Sequence, residues 1–313
     1  FSIICGAGFT TSTAIEVTFT GLTGISGGVD MLVMNNVEVE AEQTGWWRRH
    51  VVAIETGGLV FNHVYFRNGG QTAAQNDVNT ASIEIVNTNL NIDIIRAINA
   101  NQLMMQRANT LLLMQAERSI ESVYLNDGEL IGCDYGIRTI GAGKIGAWYI
   151  NVHMDCIKRC IVSDTDFNFA QINGDLRLSN NGATEDINGI NIEINGNSEM
   201  LQATGILSAT TLNTNAKAIE VNGNLINSTI NSHIRTDATG IDMTNAQTVS
   251  AVSMAPTFSD GVVNKYISIP EQVFIKDQQL ENGTFDGNVD DLMTNAALET
   301  NKTMIRLKQC QNY

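Results

Sequence analysis

The sequence predicts an all-β fold, a right-handed parallel β-helix in which the chain winds into a solenoid. Three observations favour it: the composition, a short β-type run that recurs along the chain, and repeated Asn-Gly pairs. Charged residues make up only 16% of the chain, and it has 27 Gly but 2 Pro. Because Asn and Gly tolerate left-handed backbone and Pro interrupts strand ladders, this composition favours many strands joined by tight turns.

The recurring run is a short extended segment centred on an aliphatic residue. Most steps between successive centres are 22 to 29 residues, the spacing expected for coils of a parallel β-helix. Because side chains alternate in a strand, the central residues are expected to point inward and stack into one core column. The centres are Ile15, Ile54, Ile83, Leu112, Ile137, Ile161, Ile190, Ile219 and Ile241.

Some segments leave alternatives open. Asn-Gly pairs such as Asn195-Gly196 and Asn222-Gly223 are predicted to form corners, but they are also typical of hairpins, so an antiparallel sandwich is the rival fold. The step of 39 residues between Ile15 and Ile54 predicts an insertion around residues 46–50. Residues 94–107 have a pattern that a helix also fits, and we interpret them as a strand followed by a corner.

The chain is predicted to consist of a β-helix at 1–265 and a C-terminal cap or oligomerisation segment at 266–313. In that last segment the repeat disappears, and 290–300 and 304–307 resemble a short helix and a final strand. A solenoid needs a cap because its end strands otherwise expose unpaired backbone. Cys133 and Cys156 lie about one coil apart and are expected to stack in the core, not to form a bridge or a metal site.

The net charge of −15 and the pI near 4.6 oppose binding to nucleic acid or to anionic membranes. No apolar run is long enough for a spanning helix, so membrane insertion is not expected. The histidine and cysteine spacings match no zinc site, and we expect no metal and no cofactor. Acidic residues that follow the centres, such as Glu84, Glu220 and Asp242, are interpreted as a solvated acidic face, with a calcium site as the alternative.

Unequal Asn- and Gly-rich coils, an acidic balance, scarce Pro and a distinct C-terminal tail together resemble phage tailspikes and related β-helix proteins of the pectin-lyase-like superfamily. The resemblance is architectural and covers roughly residues 13–265. It implies a homotrimeric appendage of a virion tail that contacts other virion proteins. It also implies binding, and often cleavage, of cell-surface polysaccharide. The paired-Asp motif of polygalacturonases and the calcium motif of pectate lyases are both missing.

The candidate catalytic residues are Asp164, Asp166 and Glu193. Glycoside cleavage requires two carboxylates across the scissile bond. Asp164 is three residues past Ile161 and Glu193 three past Ile190, so stacking of those two centres would bring the carboxylates together. Solvated acidic residues on a strand surface are the alternative.

The candidate ligand-binding residues are aromatic or basic: Trp46, Trp47, Arg48, Trp148 and Tyr149. Indole and phenol rings stack on sugars, and Arg pairs with the carboxylates of acidic sugars. The alternative is that these rings pack at a corner or a subunit interface.

The functional hypothesis is therefore a tailspike-like protein, in a virion tail or outside the cell, that binds and in an enzymatic version cleaves host surface polysaccharide. The alternatives are a non-enzymatic structural fibre and a secreted microbial polysaccharide lyase or hydrolase.

Overall fold

The structure is a computed structural model. It describes residues 2–5, 13–18, 32–41, 47–55, 58–68, 81–88, 94–179, 188–209, 215–236, 239–259, 262–270 and 273–275.

The chain forms a parallel β-solenoid of about eight turns, which confirms the predicted fold class. Every strand pair recorded in the described residues is parallel, for example β8 (Ser119–Ile140) with β9 (Lys144–Ser163), so the antiparallel sandwich is wrong. The described ranges contain strands, turns and bends but no helix, and therefore no helix that could cross a membrane.

Each coil contributes to three faces, which we call A, B and C in chain order. Face A contains β2 (Thr13–Thr18), β4 (Arg49–Ile54), β6 (Ile83–Asn87), β12 (Ile190–Ile194), β15 (Lys217–Val221), β19 (Thr239–Asp242) and β23 (Asn264–Ile267). Face B contains β10 (Asp166–Ile172), β13 (Ser198–Ala203), β16 (Asn224–Ile226), β17 (Thr229–Ile230), β20 (Thr248–Ser250), β21 (Val252–Met254) and β24 (Val273–Ile275). Face C contains β1 (Ser2–Cys5), β11 (Asp175–Leu178), β14 (Ile206–Ala209), β18 (His233–Arg235) and β22 (Thr257–Phe258).

The remaining strands pass through corners without interruption. β3 (Leu32–Ala41) and β5 (Leu59–Arg67) join faces B and C, and β7 (Ile94–Ala116), β8 and β9 run through B, C and A. The segment 94–107, which also fitted a helix, is therefore strand plus corner as interpreted. Left-handed residues turn the chain at its corners, as at Gln102 and Arg107.

The predicted core column on face A is confirmed for most coils. Ile83, Leu112, Ile137 and Ile161 pair directly from strand to strand and are buried, and further along the chain Ile219 pairs with Ile241.

Two of the predicted centres are wrong. Ile15 pairs with Val51, not Ile54, and Ile192, not Ile190, joins Ile161 to Ile219. Ile190 and Ile192 are two residues apart, and a shift by two keeps the same face of the strand inward, so periodicity alone does not fix the register at this strand.

The predicted insertion at 46–50 does not include residues 49 and 50, and residue 46 lies outside the described residues. Arg49 and His50 begin β4 itself, and the Trp47 amide donates to the Asn68 carbonyl at 3.0 Å.

Two Asn-Gly pairs, Asn195-Gly196 and Asn222-Gly223, mark corners between faces A and B. The Asn222 amide donates to the Asn195 side chain, and Asn245 donates to Asn222, so one amide ladder follows the corner through successive coils. A Cβ added to Gly223 would lie 2.0 Å from the Gly196 carbonyl oxygen, so the stacked corners require glycine. Asn181-Gly182, another predicted corner, lies outside the described residues.

The cysteine prediction is confirmed, with both residues on face C. Cys133 and Cys156 are buried, unbridged and stacked on adjacent coils, with 3.2 Å between their Sγ atoms. Burial raises the pKa of the Cys133 thiol, so it remains a protonated core residue.

The solenoid continues beyond the predicted boundary at residue 265. β23 pairs with β19, and β24 pairs with β21 in parallel. The predicted helix at 290–300, the strand at 304–307 and most of the cap lie outside the described residues.

The acidic residues after the centres are paired, in contrast to a purely solvated face. Glu84 is buried and lies 2.7 Å from Arg49, while Lys217 contacts both Glu220 and Asp242. Desolvation raises the pKa of Glu84, whereas the hydrogen bond from Lys217 lowers that of Asp242 against desolvation. Within the described ranges, no three His, Cys, Asp or Glu side chains are arranged as metal ligands.

Candidate functional site

Asp164 and Glu193 meet at the corner between faces A and B, although not in the register expected from the sequence. Glu193 pairs with Val162, and Asp164 is level with Asn195. The Asn195 side-chain amide bridges the two carboxylates, donating to Asp164 at 2.7 Å and to Glu193 at 3.1 Å.

Each of these carboxylates also has an arginine partner. Arg159 Nε lies 2.6 Å from Glu193, and Arg138 lies 3.4 Å from Asp164. With an amide between them and a cation beside each, the carboxylates interact with the protein itself. This corner therefore has the features of a structural network.

Asp166 lies across the corner from Asp164. β9 ends at Ser163 and β10 begins at Asp166, so the two carboxylates do not share a strand face. Asp166 accepts hydrogen bonds from the Asn197 backbone amide at 2.9 Å and from the Asn197 side chain at 2.8 Å. It is thus the first member of a second ladder, in which Asn224 donates to Asn197.

The aromatic and basic run at the start of β4 points mostly inward. Trp46 lies outside the described residues. Trp47 is buried and its Nε1 donates to the Glu40 carbonyl at 2.9 Å, and Arg48 is half-buried. His50 stacks on Phe66 with ring centroids 4.9 Å apart, and burial lowers its pKa from 6.5 to about 3.

Trp148 and Tyr149 lie on opposite sides of face B. Trp148 is 1% exposed and packs against Phe167, so its ring belongs to the core. Tyr149 lies on the outer side, with its ring centroid 6.2 Å from that of Tyr124. Of the two, Tyr149 is the ring that a ligand can reach.

A groove runs along the solenoid where face B turns into face C. It encloses about 680 Å³ and crosses five consecutive coils. Coils stack about 4.8 Å apart, so the groove is roughly 19 Å long and parallel to the solenoid axis. Its lining comes from residues 63–65, 102, 104, 127–129, 151–153 and 173–175.

The backbone at this corner explains the groove. His63, Gln102 and Asp127 have left-handed backbone and form one rim. Gly128 and Gly174 keep side chains off the floor: a Cβ on Gly128 would lie 2.4 Å from the Leu103 carbonyl oxygen, and one on Gly174 would lie 2.3 Å from that of Val152.

A column of outward side chains on face C forms the other wall. Tyr65 is paired with Met104, Met104 with Glu129, Glu129 with His153, and His153 with Asp175. The wall therefore begins with a ring and a thioether and ends with three ionisable groups.

Several polar groups of this groove contact other side chains of the protein. Gln102 donates to Asp127 at 3.0 Å, and His153 Nδ1 lies 3.3 Å from Asp175. The Tyr65 hydroxyl donates to Gln106 at 2.9 Å, and burial raises its pKa, although nearby Arg67 acts in the opposite direction. Tyr65 is thus a neutral hydroxyl at physiological pH.

The groove is acidic. Its described lining holds three carboxylates, Asp127, Glu129 and Asp175, together with His63 and His153, and neither Lys nor Arg. In a chain of net charge −15 this lining disfavours an anionic ligand and suits one rich in hydroxyl groups.

The sequence analysis proposed no residue of this groove as a catalytic or ligand-binding residue. A signal was present: Asn101, Asn126 and Asn151 recur at one coil's spacing, and each later member donates to the one before it. Acidic or histidine side chains follow two of these asparagines within two residues. A search for polar positions that recur in step with the core would have found the corner.

No known protein family matches the chain, and neither does any curated protein or solved structure. The tailspike resemblance therefore remains one of architecture.

Proposed function

We propose that this chain binds an extended, neutral polysaccharide in the groove between faces B and C. The observation that carries the proposal is the groove itself, which follows the solenoid axis across five coils and joins an apolar end to a polar one. An extended polymer has the matching shape, because its successive units meet successive coils.

Sugars suit both ends of the groove. Tyr65 offers a ring face for stacking, and Met104, which is 38% exposed, extends the apolar surface. Glu129 and Asp175 offer carboxylate oxygens that accept hydrogen bonds from sugar hydroxyls. Acidic polymers are disfavoured by the carboxylates, so the proposed ligand class is neutral.

The proposed location is either a virion tail, as an appendage, or the outside of the cell. A stiff solenoid with a lateral groove presents one surface over many coils, which suits attachment to a polymer on a cell. The groove and the high negative charge support attachment to a carbohydrate over attachment to nucleic acid.

Glycoside hydrolysis is a second candidate function. Glu129 and Asp175 lie two coils apart with His153 between them, so their backbones are about 9.6 Å apart. This backbone spacing is just above the roughly 6.5–9.5 Å that separates the carboxyl groups of inverting glycosidases.

The test is a panel of neutral and uronic-acid-containing bacterial surface polysaccharides, with binding measured by calorimetry and cleavage by new reducing ends. We expect neutral members to bind, and Tyr65→Ala to weaken that binding about tenfold, the loss expected for one stacked ring. Asp164→Asn is the control and should bind like the wild type.

Binding only to acidic members, or equal loss with Asp164→Asn, contradicts the proposal. New reducing ends that disappear in Glu129→Gln would support hydrolysis, and binding without them would contradict hydrolysis alone.

A further inference from the structure

Two tyrosine rings lie on the outer side of face B, next to the groove. Tyr124 and Tyr149 are paired directly on adjacent coils, with their ring centroids 6.2 Å apart. Tyr124 is 43% exposed, and Tyr149 is half-buried. Within the described residues neither hydroxyl has a hydrogen-bond partner, whereas the Tyr65 hydroxyl in the groove donates to Gln106. The two rings, which we call the ring pair, therefore combine an accessible surface with free polar groups.

The ring pair extends the groove sideways onto face B. Tyr149 and Asn151 are two residues apart in β9, so their side chains point to the same side of the strand, about 6.6 Å apart. Asn151 lines the groove, and so does Asp127, three residues past Tyr124 in β8. The ring pair thus lies beside the third and fourth of the five coils that the groove crosses.

Among the five coils of the groove, these two alone carry a ring at this position. The equivalent residues of the other coils are Val60, Asn99 and Gln171. The charged side chains of face B, such as Arg96 and Glu121, precede this position in their strands, whereas the groove follows it. These charges therefore lie on the far side of the ring pair, and uncharged asparagines of the corner lie between the ring pair and the groove.

We propose that the ring pair binds sugar branches of the polysaccharide whose backbone lies in the groove. This inference rests on the proposed function, and it specifies the ligand as a branched neutral polysaccharide. A backbone that follows the groove runs parallel to the solenoid axis, and the ring pair lies to one side of that path. A sugar that contacts the ring pair while the backbone occupies the groove therefore belongs to a side branch.

The chemistry of this surface suits a branch sugar. A tyrosine ring packs against the C–H face of a sugar, and its hydroxyl donates to and accepts from sugar hydroxyls. Asn151 donates one side-chain N–H to Asn126, so its second N–H remains for the ligand at the point where the branch leaves the groove. Because the rim and the ring are about 6.6 Å apart, a short branch is sufficient.

The strands hold the ring pair on a rigid support. The inward neighbours of the two tyrosines, Val123 and Trp148, pair across the same two coils and are at most 1% exposed. A surface supported by a packed core requires little ordering when a ligand binds, which lowers the entropic cost of binding.

The test measures the preference for a branched ligand by titration calorimetry. The probes are matched pairs of neutral polysaccharides that share one backbone, such as linear mannan with galactomannan and linear xylan with arabinoxylan. We expect the branched member of at least one pair to bind about tenfold more tightly than its linear partner, the gain expected for one stacked ring.

Tyr149→Ala and Tyr124→Ala should each reduce the ratio of branched to linear affinity toward one. Tyr65→Ala should weaken both members of a pair and keep their ratio, because Tyr65 lies in the groove with the backbone. Phe274→Ala is the matched control. Its ring is 46% exposed in the same column of face B but five coils from Tyr149, so the ratio should not change.

Equal affinity for the two members of every pair overturns this inference and leaves the proposed function standing. A preference that survives both tyrosine variants, or that Phe274→Ala removes equally, does the same. Absence of binding to every probe overturns the proposed function together with this inference. A preference that the tyrosine variants remove and Phe274→Ala retains supports it.

Discussion

Two corners of the solenoid carry clustered carboxylates, and they differ in what surrounds them. At the corner between faces A and B, Asp164 and Glu193 share the Asn195 amide and each contacts an arginine. At the corner between faces B and C, Glu129 and Asp175 lie beside an open groove with His153 between them.

The difference shows that carboxylates close in space do not identify a ligand site. Those of the first corner are neutralised by the protein and continue into asparagine ladders, so their interactions hold coils together. Those of the second corner keep most of their hydrogen-bonding capacity for a ligand. The comparison predicts that changes at the first corner alter stability and changes at the second alter binding.

The largest expected effect concerns an ionisable group with no access to water. His50 has a folded pKa of about 3 against 6.5 in the unfolded chain, so the unfolded state takes up the proton first as pH falls. Its contribution to stability is complete above pH 6.5 and decreases toward pH 3. The slope approaches about 1.4 kcal/mol per pH unit well below pH 6.5, and the loss between pH 7 and pH 5 is roughly 2 kcal/mol.

The measurement is chemical denaturation of the wild type and His50→Gln across this pH range. The raised pKa of Glu84 acts in the opposite direction in both proteins, so the difference between them isolates His50. An equal pH dependence in the two proteins would show that His50 is accessible to protons in the folded state.

The next effect concerns the groove floor. A Cβ at Gly128 would meet the Leu103 backbone at 2.4 Å, so Gly128→Ala should lower the free energy of unfolding by about 2 kcal/mol and weaken glycan binding as the corner shifts. Gly146→Ala is the matched control, because its Cβ would meet the flexible Glu121 side chain at 3.3 Å. Thermal denaturation of the two variants should separate them clearly, and similar melting temperatures would contradict the close packing at Gly128.

A similar but smaller effect is expected at the first corner. Arg159→Met leaves Glu193 without its cation and also removes hydrogen bonds to the Lys158 and Asn188 carbonyls. It should lower the free energy of unfolding by about 1.5 kcal/mol, mainly through the charged hydrogen bond to Glu193. Glycan affinity should be unchanged. If the variant folds normally but loses binding, the corner is a ligand site after all.

The smallest effect on stability is expected in the groove. Glu129→Gln should change the free energy of unfolding by less than about 0.5 kcal/mol, because the side chain is exposed, while glycan affinity falls. A destabilisation as large as that of Arg159→Met would remove the distinction between the two corners.

The sequence was informative where one residue type repeats in step with the coils. Ile137 and Ile161 mark the core, and Asn195-Gly196 marks a corner, because inward packing and left-handed turns restrict the residue types allowed there. It was less informative about register. Ile190 and Ile192 both fit the two-residue alternation of their strand. Choosing Ile190 as the centre misplaced Glu193 relative to Asp164 by two residues.

The groove was harder to predict because backbone shape, not a motif, creates it. His63, Gln102 and Asp127 share a left-handed conformation but no chemistry, so nothing in their identities relates them. Trp148 attracted attention as an aromatic residue, but its position in the alternation places it in the core. With the correct register, the alternation along the strand would have placed Trp148 on its inner side.

The most direct measurement of the central claim is amide hydrogen exchange with and without a neutral polysaccharide that binds. We predict new protection across the groove, at residues 102–104, 127–129 and 151–153, with no change around Asp164 and Asn195. Protection at the corner between faces A and B with none in the groove would contradict the account.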